Sequence, residues 1–347
     1  IHISDIHIKP LERHNEYNEV FKNLNNFIKK HSDIAVVVTG DIFDNKTVFK
    51  PETFYMVKKF IRDISVLAPV FVIAGNHDML ENNTQRMDAL TPVLSDMDNV
   101  FYLSLTGIYA VNDYNFVVLS LQDKVSALRN ALNSIKVDCS KENKKVICLY
   151  HGTLNEILFS DLQSKDHLYC SDFDFCDLVL LGDIHRRQKL KNNIAYAGSL
   201  IQQNFGESIN DHGGLFWDIQ SMQCKEFDVK NNYAFIDVIF NNGSWINKNV
   251  INNCNFEHAY TRLVIDQNTQ DYAVSEVVKE LTLFFKSCTV VSKQHQRINK
   301  TQEENKNNSI TNVNEVEMIK KECDNLKMNT DFILSLHSMY KKEALQK

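Results

Sequence analysis

Over the first 220 residues, apolar positions come in short runs, and each run stops at a polar cluster. Ile34 to Val38 ends at Thr39-Gly40-Asp41, and Pro69 to Ile73 ends at Gly75-Asn76-His77-Asp78. Short continuous apolar runs bounded by turn formers read as buried strands. Between these two, Phe54, Val57, Phe60, Ile61 and Ile64 recur at helical spacing behind a proline suited to a helix start. Val20, Phe21, Leu24, Phe27 and Ile28 line an earlier helix. Further strands are predicted at Val100 to Leu103, Gly107 to Val111, Phe116 to Leu121, Val146 to Tyr150, Leu178 to Leu181, Ile194 to Ala197 and Gly214 to Ile219. Those at 146 and 178 again end in polar groups, His151-Gly152 and Gly182-Asp183-Ile184-His185. The pattern predicts an α/β fold, a four-layer sandwich of two mixed β-sheets flanked by helices, with a site in the loops along one sheet edge. The strand-rich second half argues against a doubly wound nucleotide fold.

The character changes near Cys224. Residues 1–223 form the first expected domain. In 224–295, Ala234 to Phe240 and Thr261 to Ile265 read as strands and Val274 to Phe285 as a helix, which predicts a small α+β domain. Residues 296–312, rich in Gln, Asn and Lys, are expected to be a polar linker. Residues 313–347 have a helical pattern that closes with Phe332, Ile333, Leu336, Met339 and Tyr340 on one side. Such a stripe either packs back on its own domain or serves a partner.

The chain has 347 residues, 44% of them hydrophobic, which allows one large core and a smaller one. Its formal net charge of -6 is against coating nucleic acid through bulk electrostatics, but leaves a nuclease open, since metal ions can hold phosphate locally. The 8 cysteines form no close C-x-x-C pair, so neither a zinc ribbon nor a disulfide framework is expected. With no apolar run of spanning length and no leader-like start, the expectation is a protein that is soluble, intracellular, in a reducing compartment and without membrane contact; nucleus and cytoplasm are not distinguished. Because the chain opens at Ile1 and its first motif begins at Asp5, the opening strand is expected to be clipped.

Five clusters carry the candidate chemistry: Asp5-Ile6-His7, Gly40-Asp41-Ile42-Phe43-Asp44, Gly75-Asn76-His77-Asp78, His151-Gly152 and Gly182-Asp183-Ile184-His185. Each holds a carboxylate, imidazole or carboxamide, and each stands at a strand end. Strand alternation puts Asp5 and His7 on one side, and likewise Asp183 and His185 if that strand continues. Oxygen and imidazole donors without thiolate suit manganese, magnesium, iron or zinc. A carboxylate such as Asp41 can bridge two ions about 3.5 to 4 Å apart, the arrangement that activates water for in-line displacement. Taken singly these motifs are weak, and Gly75-Asn76-His77-Asp78 alone would also read as a turn. Five in order at successive strand ends are what carries the inference. His2, His14, His31, His167 and His212 are isolated and read as surface or packing residues.

This ordered set resembles the calcineurin-like metallophosphoesterase superfamily, and within it the SbcD-type nuclease subunit of the double-strand-break repair complex with its archaeal and eukaryotic relatives. The likeness spans residues 1–220, and the subgroup is supported by Gly40 to Asp44, by Tyr196-Ala197-Gly198-Ser199-Leu200 and by Gly213 to Asp218. It implies two divalent metal ions, Mn2+ or Mg2+. Asp5, His7, Asp41 and His185 would hold one, and Asp41, Asn76, His151 and Asp183 the other, with the water between them as nucleophile. His77 would stabilise or protonate the leaving oxygen, and Asp78 would orient His77. The family's last motif usually reads Gly-His-x-His, whereas this chain has Gly182-Asp183-Ile184-His185; the aspartate makes the second site harder and more anionic, favouring manganese or magnesium.

The resemblance further implies a DNA substrate, a capping role for the smaller domain, a homodimer and an SbcC-type coiled-coil ATPase partner bound beyond the cap. The chain has no phosphate-binding Gly-x-x-x-x-Gly-Lys-Ser/Thr loop, so any ATP dependence must come from that partner. Met87, Leu90, Val93, Leu94 and Met97 suit either a dimer surface or a core helix. Arg186, Arg187, Lys189 and Lys191 leave the last motif as a basic loop, which reads equally as a DNA-phosphate contact or a solvated hairpin. The expected function is a metal-dependent exonuclease or endonuclease. The alternatives are a phosphatase or small-molecule phosphodiesterase of the same superfamily, and a metal-binding scaffold that recognises DNA or protein without cutting.

Overall fold

The computed structural model describes residues 1–295, apart from 81–82, 84, 158–166, 242–243, 246–254 and 266–270. The stretches 296–312 and 313–347 lie outside the described residues. The first sheet takes β1 (His2–Ile3), β2 (Val36–Thr39), β3 (Val70–Ile73), β4 (Val100–Tyr102), β11 (Gly213–Asp218) and β12 (Gln223–Asp228), in the order β12-β11-β1-β2-β3-β4. Strands β1 to β4 are parallel, and β11 and β12 close the edge antiparallel. The second sheet takes β5 (Gly107–Val111), β6 (Tyr114–Leu119), β7 (Lys145–His151), β8 (Leu178–Gly182), β9 (Gln188–Lys191) and β10 (Ile194–Tyr196), in the order β5-β6-β7-β8-β10-β9.

Side-chain alternation fixes the layering. Val36, Val38, Val70 and Val72 pack outward against α1 (His14–Ile28) and α2 (Pro51–Ser65), whose buried faces carry Val20, Phe21 and Leu24, and Val57, Phe60 and Ile61. Val37, Phe71 and Ile73 point the other way and meet Phe116, Val118, Ile147, Leu149, Leu178 and Leu180 of the second sheet. Val117, Leu119, Cys148, Val179 and Leu181 face outward onto α4 (Val125–Cys139) through Leu128, Leu132 and Ile135. The result is the expected four-layer sandwich. Its central strands are buried on both faces, which is why they read as continuous apolar runs rather than alternating ones.

Strand β12 pairs with β11 through six residue pairs, so it belongs to the first sheet. The expected boundary at 224 therefore falls inside a strand, and the crossing into the smaller domain comes after Asp228. That domain holds β13 (Tyr233–Asn241), β14 (Ser244–Trp245), β15 (His258–Ile265), α5 (Asp271–Phe284) and β16 (Ser287–His295), with sheet order β14-β13-β15-β16. Ala234, Ile236, Val238, Leu263, Val277 and Leu281 make its core. Helix α3 spans only Thr91–Leu94; Leu90, Val93 and Leu94 are buried in the first core while Met87 is exposed. No helix among the described residues is long and apolar enough to cross a membrane.

Candidate metal centre

Strands β1, β2, β3, β7 and β8 deliver their C-terminal ends to one edge of the sandwich, and the five polar clusters meet there. The chain has to turn sharply to bring these groups together. Asp5, His7, Asp41 and Asp183 all adopt positive φ, of 52°, 45°, 52° and 96°. For non-glycine residues such conformations cost on the order of 1 kcal/mol or more each and persist where the surroundings fix them. Here the amides of Asp5 and His7 donate to the carbonyls of Gly40 (3.1 Å) and Asp41 (2.9 Å), which ties the first two motifs together. Gly40, at φ 90°, is needed at that crossing: a Cβ there would stand 2.6 Å from the Gly75 amide nitrogen and from His151 Nδ1.

The ligand-type atoms converge closely. His7 Nε2 and His185 Nε2 are 3.0 Å apart, and both face Asp5 Oδ1, at 4.0 and 3.9 Å. Asp41 Oδ2 lies 3.5 Å from His7 Nε2 and 3.4 Å from His151 Nε2. Asp183 Oδ1 lies 3.9 Å from His151 Nε2, while its Oδ2 accepts from the Thr153 hydroxyl at 2.6 Å. Among the described residues, three groupings could hold an ion: Asp5 with His7 and His185, Asp5 with Asp41 and His151, and His7 with Asp41 and His77. Asn76 and Asp183 line the same cavity of about 220 Å³, with Lys9, Asp44, His77, Gln203 and Asn204.

The donor set fits divalent cations. His151 Nδ1 donates to the Thr39 carbonyl at 2.7 Å, which presents Nε2 to the centre, and that buried nitrogen has no hydrogen-bond partner; nor has the buried Asn76 Oδ1. A bound cation would give both atoms a partner. The protonation pattern agrees. Burial drives His7 down to about 3, so its ring is neutral. Burial also lifts Asp5 to about 6. Burial opposes ionisation of Asp41, yet His151 and His7 hold its carboxyl well below the usual range. Burial disfavours the imidazolium of His151 too, but Asp41, Asp5 and Asp183 outweigh it and raise that ring to about 10. In effect a proton stands where positive charge is wanted.

Around this centre the structure departs from expectation at Asp78. Asp78 does not orient the His77 ring. Its carboxylate accepts from the backbone amides of Ile42, Phe43 and Gly75, at 2.9 to 3.1 Å for the closest contacts, and so fastens the second motif to the third. Burial, reinforced by Asp41, raises Asp78 to about 7. The His77 ring is held instead through Nδ1 by the Asp44 carbonyl at 2.6 Å, while the His77 amide donates to Asp41 Oδ1 at 2.7 Å. The basic loop is also mostly committed. Arg187 is clasped by Glu226 and Asp228, at 3.3 and 2.6 Å; Lys191 pairs with Asp174 at 2.9 Å, and Lys189 donates to the Cys224 carbonyl at 3.3 Å. Among the described residues, the Arg186 side chain alone of the four has no such partner.

Sequence reasoning missed Glu207, whose Oε1 accepts from His185 Nδ1 at 2.8 Å and leaves Nε2 to face Asp5 and His7. Nothing in the sequence marks it, because it sits in a turn with no motif. Asp44 and Lys9 lay inside or beside quoted motifs without a role, and are joined at 2.6 Å over the cavity. None of His2, His14, His31, His167 and His212 enters the three groupings.

Comparison with known proteins places this centre. The family model described as calcineurin-like phosphoesterase matches residues 1–187, which contain every one of the five motifs. The chain is a calcineurin-like phosphoesterase. The three candidate metal-binding groupings fall within the matched residues and support a metal-dependent hydrolase of that family. Among relatives, this phosphoesterase is similar to the uncharacterized protein R555 of Acanthamoeba polyphaga mimivirus, 34% identical over 81% of the chain and 22% of that protein. It is similar to the putative phosphoesterase 244L of Invertebrate iridescent virus 6, 28% identical over 57% of the chain and 69% of that protein. It also matches the DNA double-strand break repair protein Mre11 of Methanosarcina acetivorans, 26% identical over 60% of the chain and 34% of that protein. The phosphoesterase thus spans about a fifth of the first relative and a third of the last.

Proposed function

We propose that the chain is a DNA nuclease that hydrolyses phosphodiester bonds in double-strand-break repair or DNA end processing. The observation that carries this reading is the placement of His77. Its ring is anchored through Nδ1 to the Asp44 carbonyl at 2.6 Å and stands edge-on to His7, with centroids 4.7 Å apart, in the wall of the metal cavity. That contact leaves Nε2 for the oxygen that departs from phosphorus, to which the imidazolium would donate as a general acid. Asp5, His7, Asp41 and His185 would hold one ion, and Asp41, Asn76, His151 and Asp183 a second. Bound there, the ions, Mn2+ by preference and Mg2+ as an alternative, supply Lewis acidity and a water of lowered pKa.

Arg186 is exposed at the end of the last motif and suits a nonbridging phosphate oxygen. The similarity to a repair protein in 60% of the chain supports DNA as the substrate. So does a second domain beside the centre, which suits a polymer better than a small monoester. Under the same proposal the protein works as a homodimer with an SbcC-type coiled-coil ATPase docked on residues 313–347, which co-purification of the two chains would test.

The deciding experiment compares end-labelled double-stranded DNA, circular single-stranded DNA and a phosphomonoester, each with manganese, magnesium or chelator, alongside His77→Ala. Manganese-dependent DNA cutting that the variant lacks is the expected result. Monoester turnover without DNA cutting would overturn the nuclease reading in favour of a phosphatase, and metal binding with DNA retention but no turnover would leave a scaffold.

A further inference from the structure

The turn of residues Gln202 to Glu207 touches the metal centre and the smaller domain at once. On the metal side, the Glu207 carboxylate collects four donors. His185 Nδ1 and Asn204 Nδ2 reach Oε1, both at 2.8 Å; the Gln203 amide and the Ser199 hydroxyl reach Oε2, at 2.8 and 3.4 Å. The neighbouring Gln203 side chain donates to the Ile6 carbonyl at 3.1 Å, between Asp5 and His7. Both ligand-bearing segments of the first grouping are therefore fastened to this one turn.

On the other side stands Gln202, 3% exposed. Its Oε1 accepts from the Phe235 amide at 2.7 Å, and its Nε2 donates to the Phe235 carbonyl at 3.2 Å and to the Glu207 carbonyl at 3.1 Å. A carboxamide that both accepts from and donates to one backbone residue imitates a strand partner, so Gln202 engages β13 much as a ladder neighbour would. The backbone of Gln202 is fixed in turn by Arg13, whose Nη2 donates to its carbonyl at 2.8 Å. The Arg13 guanidinium is held by Glu16 at 2.7 and 2.9 Å and lies 4.8 and 5.4 Å from the ring centres of Phe235 and Tyr260. Hydrogen bonds thus join the Phe235 amide to Gln202 and Gln202 to the Glu207 carbonyl, and the Glu207 side chain completes the path to His185.

We propose that Gln202 is a positioning residue that couples the smaller domain to the metal centre: the seating of β13 sets, through Gln202 and Glu207, how His185 presents Nε2. This rests on the reading of His185 as a metal ligand and is independent of which phosphoester is cut. Partners of a ligating histidine govern metal affinity by about 10- to 100-fold. Coupling between two sites is reciprocal, so metal loading must also tighten the contact at Phe235.

The test measures Mn2+ binding by calorimetry and amide hydrogen exchange at Phe235, with and without Mn2+, in the full chain. In the wild type, Mn2+ is expected to slow Phe235 exchange by about tenfold or more beyond any slowing at Leu263 of the same domain, an excess that general stabilisation by bound metal would not give. Gln202→Ala and the shape-preserving Glu207→Gln should each weaken Mn2+ binding by about tenfold and abolish that excess, whereas Lys286→Ala, in an exposed ion pair with Glu257, should leave both unchanged. Should the wild type bind Mn2+ without that excess at Phe235, the coupling is wrong and the metal centre stands. Should it bind no divalent ion, both fall. The wild-type exchange measurement decides the matter even if Gln202→Ala fails to fold.

Discussion

Asp41 and His151 face each other across 3.4 Å, Oδ2 to Nε2, and the same carboxylate oxygen stands 3.5 Å from His7 Nε2 on its other side. Asp41 thus stands between an imidazole of each expected ion site through a single oxygen, while His151 serves only one. Asp41→Asn is expected to reduce bound manganese from two equivalents to fewer than one and to lower hydrolysis by at least about a hundredfold. His151→Ala should keep one equivalent, because Asp5, His7 and His185 remain. Metal analysis after gel filtration distinguishes the two, and equal loss in both variants would contradict separate sites.

His2 gives a pH prediction that does not involve the metals. It is fully buried, with Nε2 against the Thr39 hydroxyl at 3.0 Å, and burial drives its pKa from 6.5 to about 3. The unfolded chain therefore binds a proton that the folded chain refuses between those values. Stability contributed by neutral His2 is complete above about pH 6.5 and declines as pH falls toward 3, by about 1.4 kcal/mol per pH unit. His2→Gln should flatten that decline in urea titrations between pH 6 and pH 4, at some cost in stability at neutral pH. An unchanged slope would show that other groups govern acid unfolding.

Arg187 and Arg186 are adjacent in sequence and opposite in circumstance. The Arg187 side chain is 4% exposed and held by Glu226 and Asp228, so Arg187→Ala should destabilise the protein by about 1 to 3 kcal/mol and leave the salt dependence of DNA binding alone. Arg186→Ala should leave thermal stability unchanged and reduce the slope of log affinity against log salt by about 1. Fluorescence anisotropy across a salt series reads the second effect. A reduced slope for Arg187→Ala with normal stability would reverse the assignment.

These two arginines show where the sequence was legible and where it was not. The layered core could be read because Val36 to Val38 and Leu178 to Leu181 are buried on both faces, which leaves an unambiguous apolar run. The motif residues could be read because their chemistry is concentrated at strand ends. Helix α4 was overlooked although Leu128, Leu132 and Ile135 recur at helical spacing, since only a narrow stripe of that helix is buried. Strand β12 is not legible because Gln223, Lys225, Glu226 and Asp228 leave both of its faces largely exposed, with Phe227 alone of its six residues buried. Long-range partners leave no local trace at all: the pairing of Arg187 with Asp228, of His77 with the Asp44 carbonyl and of His185 with Glu207 depends on segments 41, 33 and 22 residues apart.

Asp183 offers the last prediction, because here the chain differs from the pattern it resembles. Its backbone is held at φ 96° with its amide 3.2 Å from Asp5 Oδ1, so the residue is built into the strand end whatever side chain it carries. Oδ2 is engaged by Thr153 at 2.6 Å, and Oδ1 is thereby turned toward His151 Nε2 at 3.9 Å. A carboxylate oriented in this way adds negative charge and a hard oxygen donor to the second site, which favours magnesium and manganese over zinc. Asp183→His should shift that preference, lowering turnover with magnesium by at least about tenfold relative to manganese while strengthening zinc retention. Thr153→Val leaves Asp183 in place but frees its carboxylate to rotate, so it should reproduce part of the loss without the gain in zinc. Metal competition followed by elemental analysis provides the readout. If Asp183→His binds and uses the three ions as the wild type does, the aspartate does not reach the metal, and His151, Asn76 and Asp41 alone define the second site.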